Sequence, residues 1–295
     1  MGVWATGLYS GDFALDLRTA IRALTRLPFE GEKLVELARS VEPQAANDPE
    51  DADHTAFWLV AADQFKKHGV VCETARLKAI EIIDGGLDLA RLSKLGMDAA
   101  GLRKREKMLG QLRESLTGAQ PTKTRHVLKH PQAFTMQAGD VVLYPTMRGN
   151  SINPYFPSKD RMHPPFQQDG WGAAVILESG RAFDFLTWYR PLLIAAAFAA
   201  KPTIEEVRLA SHWVIRSPGT CSAVHFKRME MERCGSIAID PDKLNRSFPR
   251  RPSGLYGAVN DISIANRLNS APANGVVPRS TERSPVIVSL DEILA

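Results

Sequence analysis

The stretch GWGAAVILESGRAFDFLTWY, residues 170–189, decides the fold of the second half of this chain. Two largely apolar runs are separated by Ser179 and Gly180, a pair that is typical of a tight turn. The stretch therefore predicts a strand, a turn at Ser179-Gly180 and a second strand, which together make an antiparallel hairpin.

Further strand candidates lie on both sides of this hairpin. Residues 141–144, VVLY, follow a Gly-Asp turn pair, and residues 231–240, MERCGSIAID, form another candidate. Residues 202–215 predict a helix followed by a strand. The apolar run LLIAAAFAA, residues 192–200, predicts a buried helix, because it has only about half the length that crosses a bilayer.

The first half has a helical period instead, with apolar residues three or four positions apart in five successive segments. The segment that follows is poor in apolar residues and contains Gly118, Pro121 and Pro131. The sequence therefore predicts an α+β protein: a helical N-terminal domain over residues 1–118, a linker over 119–132, and a β-rich domain over 133–295. The second domain is expected to contain a small, strongly bent sheet or an SH3-like barrel and a loop-rich C-terminal segment.

The charge is divided between these halves. Residues 1–118 hold 16 basic and 18 acidic residues, and the remaining residues carry the excess that makes the net charge +4. The chain has three cysteines, Cys72, Cys221 and Cys234, and an odd, sparse set argues against a secreted disulfide scaffold. We expect reduced thiols, a cytoplasmic location and no membrane partner.

The beginning of the chain, GVWATGLYSGDFALDL, resembles the bacterial domain of unknown function numbered 4259 over roughly residues 1–115. The match is carried by Trp4, Thr6, Gly7, Asp12, Ala14, Leu15 and Asp16. The same start also fits an N-myristoylation pattern. An apolar arm packed on the first helix explains Trp4, Leu8 and Tyr9 better, and the bacterial origin that the resemblance implies removes the acyltransferase.

GDVVLYPT and the later Gly-rich strand pair resemble the β-rich domains of the immunity protein 26 type. This resemblance implies a protein that blocks a cognate toxin by binding it directly. The functional hypothesis is therefore a bacterial cytoplasmic binding protein of the immunity type, with a protein partner and no cofactor, and not an enzyme.

The long loop over residues 148–170 is the predicted partner-binding segment, because aromatic residues, Met and Arg are frequent in the cores of interfaces. The same aromatic side chains could instead cover the core of the β-rich domain, and this alternative stays open. The candidate partner-binding residues are Asn150, Asn153, Tyr155, Phe156, Arg161, His163, Phe166 and Trp171.

The competing hypothesis is an uncharacterised enzyme, zinc-dependent in one version, with its site in the second domain. Its ligand set is His212, Cys221, His225 and Cys234, since two Cys and two His suffice for tetrahedral zinc. The set lacks the close Cys pair of strong zinc motifs. Cys221 with His225 is also a formal nucleophile–base pair.

Two parts of the sequence are rich in basic residues. RKREK, residues 103–107, predicts a solvated helix face. The basic C-terminal half allows nucleic-acid binding as a third hypothesis, which we do not favour because no aromatic stacking platform accompanies it.

Overall fold

The computed structural model describes residues 6–119, 125–194, 197–247 and 286–295. The chain divides into two compact units, residues 1–130 and residues 131–295. Trp4 of the N-terminal resemblance and most of the predicted C-terminal loop segment lie outside the described residues.

The described part of the first unit is helical throughout. Its helices are α1 (Asp12–Leu24), α2 (Gly31–Val41), α3 (Pro43–Asn47), α4 (His54–Lys67), α5 (Glu73–Asp84), α6 (Leu87–Lys94) and α7 (Ala99–Thr117). Helices α3 and α6 are not predicted from the sequence, because five and eight residues are too few to display a clear helical period.

Helix α4 forms the centre of this unit and packs against α1, α3, α5, α6 and α7. Its residues from Thr55 to Lys66 are all buried, as expected of a helix that is apolar on most of its faces. The helix ends in a Schellman motif: the N–H of Val70 donates to the carbonyl of Phe65, and Gly69 adopts φ 68°. Gly69 is therefore the residue that ends this helix.

Part of the predicted linker lies on the helical unit. The N–H of Leu128 donates to the carbonyl of Arg26 at 2.8 Å, and Nη2 of Arg125 donates to the carbonyl of Phe29 at 2.6 Å. Residues 120–124 of the same segment are outside the described residues.

The described part of the second unit is built on one antiparallel sheet with three short α-helices. Its strands are β1 (Asp140–Met147), β2 (Asn150–Ser151), β3 (Gly170–Ala182), β4 (Leu186–Ile194), β5 (Ser211–Ile215), β6 (Glu232–Ser236) and β7 (Val286–Ser289), and its helices are α8 (Ile204–Leu209), α9 (Ala223–Arg228) and α10 (Pro241–Ser247). The order is β2-β1-β3-β4-β5-β7, and β6 pairs with the first half of β1.

The predicted hairpin is confirmed as β3 and β4, but its turn is wrongly placed by the sequence analysis. Ser179 and Gly180 lie inside β3, where Gly180 pairs with Trp188. The turn is formed by Phe183 and Asp184, whose φ values are 50° and 63°, in the left-handed region that tight hairpin turns use.

Gly180 is not a turn residue; it allows the ring of Trp188 to pack closely on β3. A Cβ atom on Gly180 would lie 2.5 Å from the indole ring of Trp188, so the ring crosses the strand where no side chain stands. Gly172 has the same relation to Tyr144, whose ring would be 2.4 Å from an added Cβ.

The sheet is covered on both faces, and residues 141–145 of β1 and 173–177 of β3 are all buried. The first cluster includes Val141, Val175 and Leu192 and is covered by Val207 of α8 and Leu244 of α10. The second cluster lies on the alternate residues of the same strands and is joined by Phe226 of α9. Members of the second cluster are Met136, Val142, Tyr144, Ala174, Ile176, Tyr189, Leu193, Cys221, Met229 and Met231.

The segments that follow strands β6 and β7 in the chain meet each other. Ile239, beyond β6, forms a bridge with Leu294, beyond β7, and the N–H of Asp240 donates to the carbonyl of Ile293. The strands curl into a half-barrel with the helices N-terminal to them, which confirms the predicted α+β class.

The predicted helix over residues 192–200 is wrong for residues 192–194. These form the end of β4, where Leu192 and Ile194 face the first cluster and Leu193 faces the second. The run is continuously apolar because both faces of the strand are buried. Within the described ranges, no helix combines the length and apolar character that a bilayer crossing requires.

Candidate functional site

The predicted partner-binding loop connects β1 to β3, and its two ends are held close to the sheet. Asn150 of β2 pairs with Met147 at the end of β1. The carboxylate of Asp169 accepts a hydrogen bond from the N–H of Arg148 at 2.6 Å. A single 3-10 turn, Lys159–Arg161, lies in the middle of the loop.

The middle of the loop is attached to helix α9 and the turn that follows it. Nη1 of Arg228 donates to the carbonyl of Pro154 at 3.0 Å. Nζ of Lys159 lies 2.8 Å from a carboxylate oxygen of Glu230. We call residues 153–163 together with residues 223–230 the loop–α9 surface.

Tyr155 is the most exposed aromatic side chain of this surface, with 65% of its area accessible. Its ring meets His225 edge to face, with the ring centroids 5.2 Å apart. Its N–H donates to Oδ1 of Asn153 at 3.0 Å, which sets the local turn of the backbone. The structure therefore presents Tyr155 to solvent from a backbone that is already ordered.

The eight predicted residues do not form one surface. Phe166 is buried, and Trp171 is half-buried against the first core cluster, where Lys201 lies over its ring. The positions of Phe166 and Trp171 therefore agree with the alternative hypothesis, in which aromatic side chains of the loop cover the core of the β-rich domain. Arg161 and His163 are exposed, and Phe156 is half-buried.

The charged side chains of the loop–α9 surface give it a positive balance. The surface has four cationic residues and two anionic ones. These are Lys159, Arg161, Lys227 and Arg228, and Asp160 and Glu230. Burial lowers the pKa of His225, and the nearby charge of Arg228 lowers it further, so this imidazole is neutral at pH 7.

The four candidate zinc ligands are not brought together. Cys221 is buried in the second core cluster, whereas Cys234 packs against the first, on the opposite face of the sheet. His212 is exposed on β5, and His225 contacts Tyr155. The described residues contain no group of three or more His, Cys, Asp or Glu side chains that could hold a metal ion.

The thiols are also poor candidates for nucleophiles. Burial raises the pKa of Cys221 to about 12, and burial is the main reason that the pKa of Cys72 is also raised to about 12. The pKa of Cys234 is raised as well, by burial and then by the charge of Glu232. Since the thiolate is the reactive form, a Cys221–His225 dyad is not supported.

Comparison with known families, with curated proteins and with solved structures finds no match for this chain. The two resemblances stated from the sequence therefore stay predictions.

Sequence reasoning misses a buried charge network in the helical unit, and RKREK is not entirely a solvated face. Arg105 is only 4% exposed, and its Nε donates to Oδ2 of the fully buried Asp88 at 2.7 Å. Thr55 and Arg91 donate to the other carboxylate oxygen of Asp88, at 2.9 and 3.3 Å. Nη1 of Arg105 donates to the carbonyl of Gly7 at 2.6 Å.

The electrostatics of this network follow from its composition. Burial opposes the ionisation of Asp88, but the charges of Arg105 and Arg91 and their hydrogen bonds hold the pKa of Asp88 below its usual value. The network ties the N-terminal arm, residues 6–11, to helices α4, α6 and α7.

A signal for this network is present in the sequence. Arg105 lies three residues after Leu102 and four before Leu109, in register with the stripe that continues to Leu112 and Leu116. The last three of these leucines are buried, so Arg105 occupies a core position of α7. A charged residue in such a position needs a buried partner.

A second polar anchor holds the same arm to helix α4. The hydroxyl of Tyr9 donates to Oδ2 of Asp63 and accepts from Nε2 of Gln64. Arg18 and Lys67 lie within 5.0 and 5.4 Å of the Tyr9 ring centroid. Burial and the Asp63 hydrogen bond raise the pKa of Tyr9 above its usual value. Leu8 is buried, as expected for an apolar arm, but the arm is attached to α4 and not to α1 alone.

Proposed function

We propose that this chain is a binding protein that holds an acidic protein partner on its loop–α9 surface. The observation that supports this proposal most directly is the exposure of Tyr155 on an anchored loop. Tyr and Arg are the residue types that most often dominate binding energy, and a backbone that is ordered before binding lowers the entropic cost of association.

The positive balance of the surface supports the choice of partner. Arg161 and Lys227 are exposed residues of the same surface as the Tyr155–His225 pair, so an acidic partner would be attracted before contact. The immunity-type role, in which the partner is a toxin that binding neutralises, rests on the sequence resemblance of the β-rich half.

A photo-crosslinking amino acid at position 155 tests the proposal in bacterial cells that produce the full chain. Proteins trapped from position 155 are identified and compared with those trapped from position 209. Leu209 is the control position because it is 86% exposed and lies on α8, which covers the other face of the sheet. The expected result is one acidic protein that is trapped only from position 155.

Binding of that protein is then measured with purified components. We expect Tyr155→Ala to weaken binding by at least about 30-fold, since hot-spot residues contribute about 2 kcal/mol or more, while Leu209→Ala leaves it unchanged. Arg161→Glu should slow association, most strongly at low salt.

Two outcomes would overturn the proposal: equal trapping from both positions, or RNA trapped from position 155. The immunity-type role has its own test, because co-production of the chain must then suppress the toxicity of the trapped protein. A partner that is bound but not toxic would refute that role and leave the binding function in place.

A further inference from the structure

A cleft in the helical unit has the properties of a small-ligand site. It has a volume of about 200 Å³ and lies between the N-terminal arm, the start of α4, helix α6 and Arg105. This volume is below the roughly 300–1,000 Å³ of pockets for drug-sized ligands. It corresponds to the volume that about six or seven molecules occupy in liquid water. Its apolar wall includes Leu8, Phe13, Leu92 and Leu95.

The lining of the cleft includes a buried hydrogen-bond donor without an acceptor. Nε of Arg91 is buried and has no hydrogen-bond partner. Arg105 also lines the cleft, where its Nε donates to Asp88 and its Nη1 donates to the carbonyl of Gly7. A buried guanidinium donor without a partner is costly, so a ligand that supplies an oxygen acceptor would gain by binding here.

The cleft also has a carboxylate without a donor. Asp53 is half-buried in the lining, and within the described part of the chain nothing donates to its carboxylate. Burial raises the pKa of Asp53, and the charge of Asp51 raises it further, while Arg91 opposes the shift. A cationic group beside Asp53 would relieve this cost.

The balance of charge in the cleft selects the ligand class. Arg91 and Arg105 are already partly neutralised by Asp88, and both Asp12 and Asp53 line the cleft, so a simple anion would still face these two carboxylates. A simple cation would face the two guanidinium groups. A zwitterion satisfies both sides at once, and the leucine-rich wall favours an aliphatic side chain.

We propose that this cleft binds the zwitterion of a free aliphatic α-amino acid. Its carboxylate contacts the arginine side of the cleft, its ammonium group contacts Asp53, and its side chain lies against Leu92 and Leu95. The helical unit is then a ligand-binding unit in addition to the proposed partner-binding role of the second unit.

The test measures the binding of L-leucine to the full chain. Isothermal titration calorimetry gives the affinity, and amide NMR spectra show which residues are affected. Three matched compounds each remove one feature: isocaproate lacks the ammonium group, isoamylamine lacks the carboxylate, and glycine lacks the side chain. We expect saturable binding of L-leucine with shifts in the amide signals of the arm and α6. Each matched compound should bind at least about tenfold more weakly.

Asp53→Asn and Glu50→Gln are the matched variants. Both remove one acidic charge before α4, but Glu50 is exposed and does not line the cleft. We expect Asp53→Asn to weaken L-leucine binding at least about tenfold and Glu50→Gln to leave it unchanged, with both variants folded by circular dichroism.

The proposal is overturned if L-leucine shows no saturable binding at millimolar concentration. It is also overturned if isocaproate or isoamylamine binds as well as L-leucine, or if both acid variants lower the affinity equally. These results do not bear on the partner-binding function, which is tested on the other unit.

Discussion

At the scale of single residues, Asp88 dominates the electrostatics of the helical unit. It is fully buried, and its interactions with Arg105, Arg91 and Thr55 offset the cost of taking a carboxylate out of water. Asp84 also pairs with an arginine of α7, Arg113, but both of those side chains are 47% exposed. The two pairs therefore differ in burial more than in chemistry.

We predict that Asp88→Asn lowers the free energy of unfolding by about 3–5 kcal/mol, because it leaves the charge of Arg105 buried without its counter-ion. The matched variant Asp84→Asn should change the free energy of unfolding much less, since exposed pairs are screened by water. Urea unfolding of the full chain, followed by circular dichroism at the helical band, measures both values. Equal losses in the two variants would contradict the prediction.

The stabilisation that the Asp88–Arg105 pair contributes depends on pH, and the direction of this dependence follows from the pKa of Asp88. Because the folded state holds this pKa below the unfolded value of about 3.9, the stabilisation is complete above that value and is lost as the pH falls through the folded pKa. The difference in stability between the wild type and Asp88→Asn should therefore shrink below about pH 4. A difference that stays constant into acid would show that the charge of Asp88 is not what stabilises the unit.

At the scale of elements, the β3–β4 hairpin depends on a glycine that a turn does not need. The indole ring of Trp188 crosses β3 at Gly180, so the residue with the lowest strand preference is required by packing. Aromatic rings that cover cross-strand glycines stabilise sheets in this way. The same arrangement recurs at Gly172 and Tyr144, one strand pair away.

We predict that Gly180→Ala destabilises the protein by about 1–3 kcal/mol, because the new Cβ displaces the Trp188 ring. In a Trp188→Ala background the same change should be neutral or stabilising, since alanine is then favoured over glycine by about 0.5–1 kcal/mol in a strand. A double-mutant cycle measured by urea unfolding gives the coupling between the two positions. A coupling near zero would mean that the ring does not require the glycine.

At the scale of the whole molecule, the β-rich unit is completed by segments that are far apart in the chain. Residues 290–294 pack into the first core cluster and bridge to the segment that follows β6. Leu290 and Ile293 are fully buried there, and Nζ of Lys243 donates to the carbonyl of Leu294 at 2.8 Å. Such long-range closure is costly in entropy until the contacts form.

We predict that Ile293→Ala costs about 2–5 kcal/mol, the usual range for removing a buried aliphatic side chain. Leu209→Ala is the control, since its side chain is 86% exposed and its truncation should change stability little. Thermal and urea unfolding of the full chain compare the two. A small loss at Ile293 would show that the C-terminal segment covers the core without stabilising it.

Much of the fold could be predicted from the sequence because it depends on local patterns. The five longer helices, the β3–β4 hairpin, β1 and the α8–β5 pair all follow from short-range periodicity and from turn or capping residues. The candidate site was predicted only in part. Tyr155 is exposed as a recognition residue should be, whereas Phe166 and Trp171 pack inward, and sequence alone does not show on which side of a sheet an aromatic residue lies.

The sequence by itself determined the α+β order of the chain, since helical and strand periods occupy different halves and each depends on residues only a few positions apart. Only the tertiary structure decided which residues of these helices and strands contact one another. It buries Arg105 against Asp88, places Gly180 beneath Trp188, and separates Cys221 from Cys234 on opposite faces of one sheet. These relations join residues that are distant in sequence, and burial, charge pairing and close packing arise only when the folded chain brings such residues together.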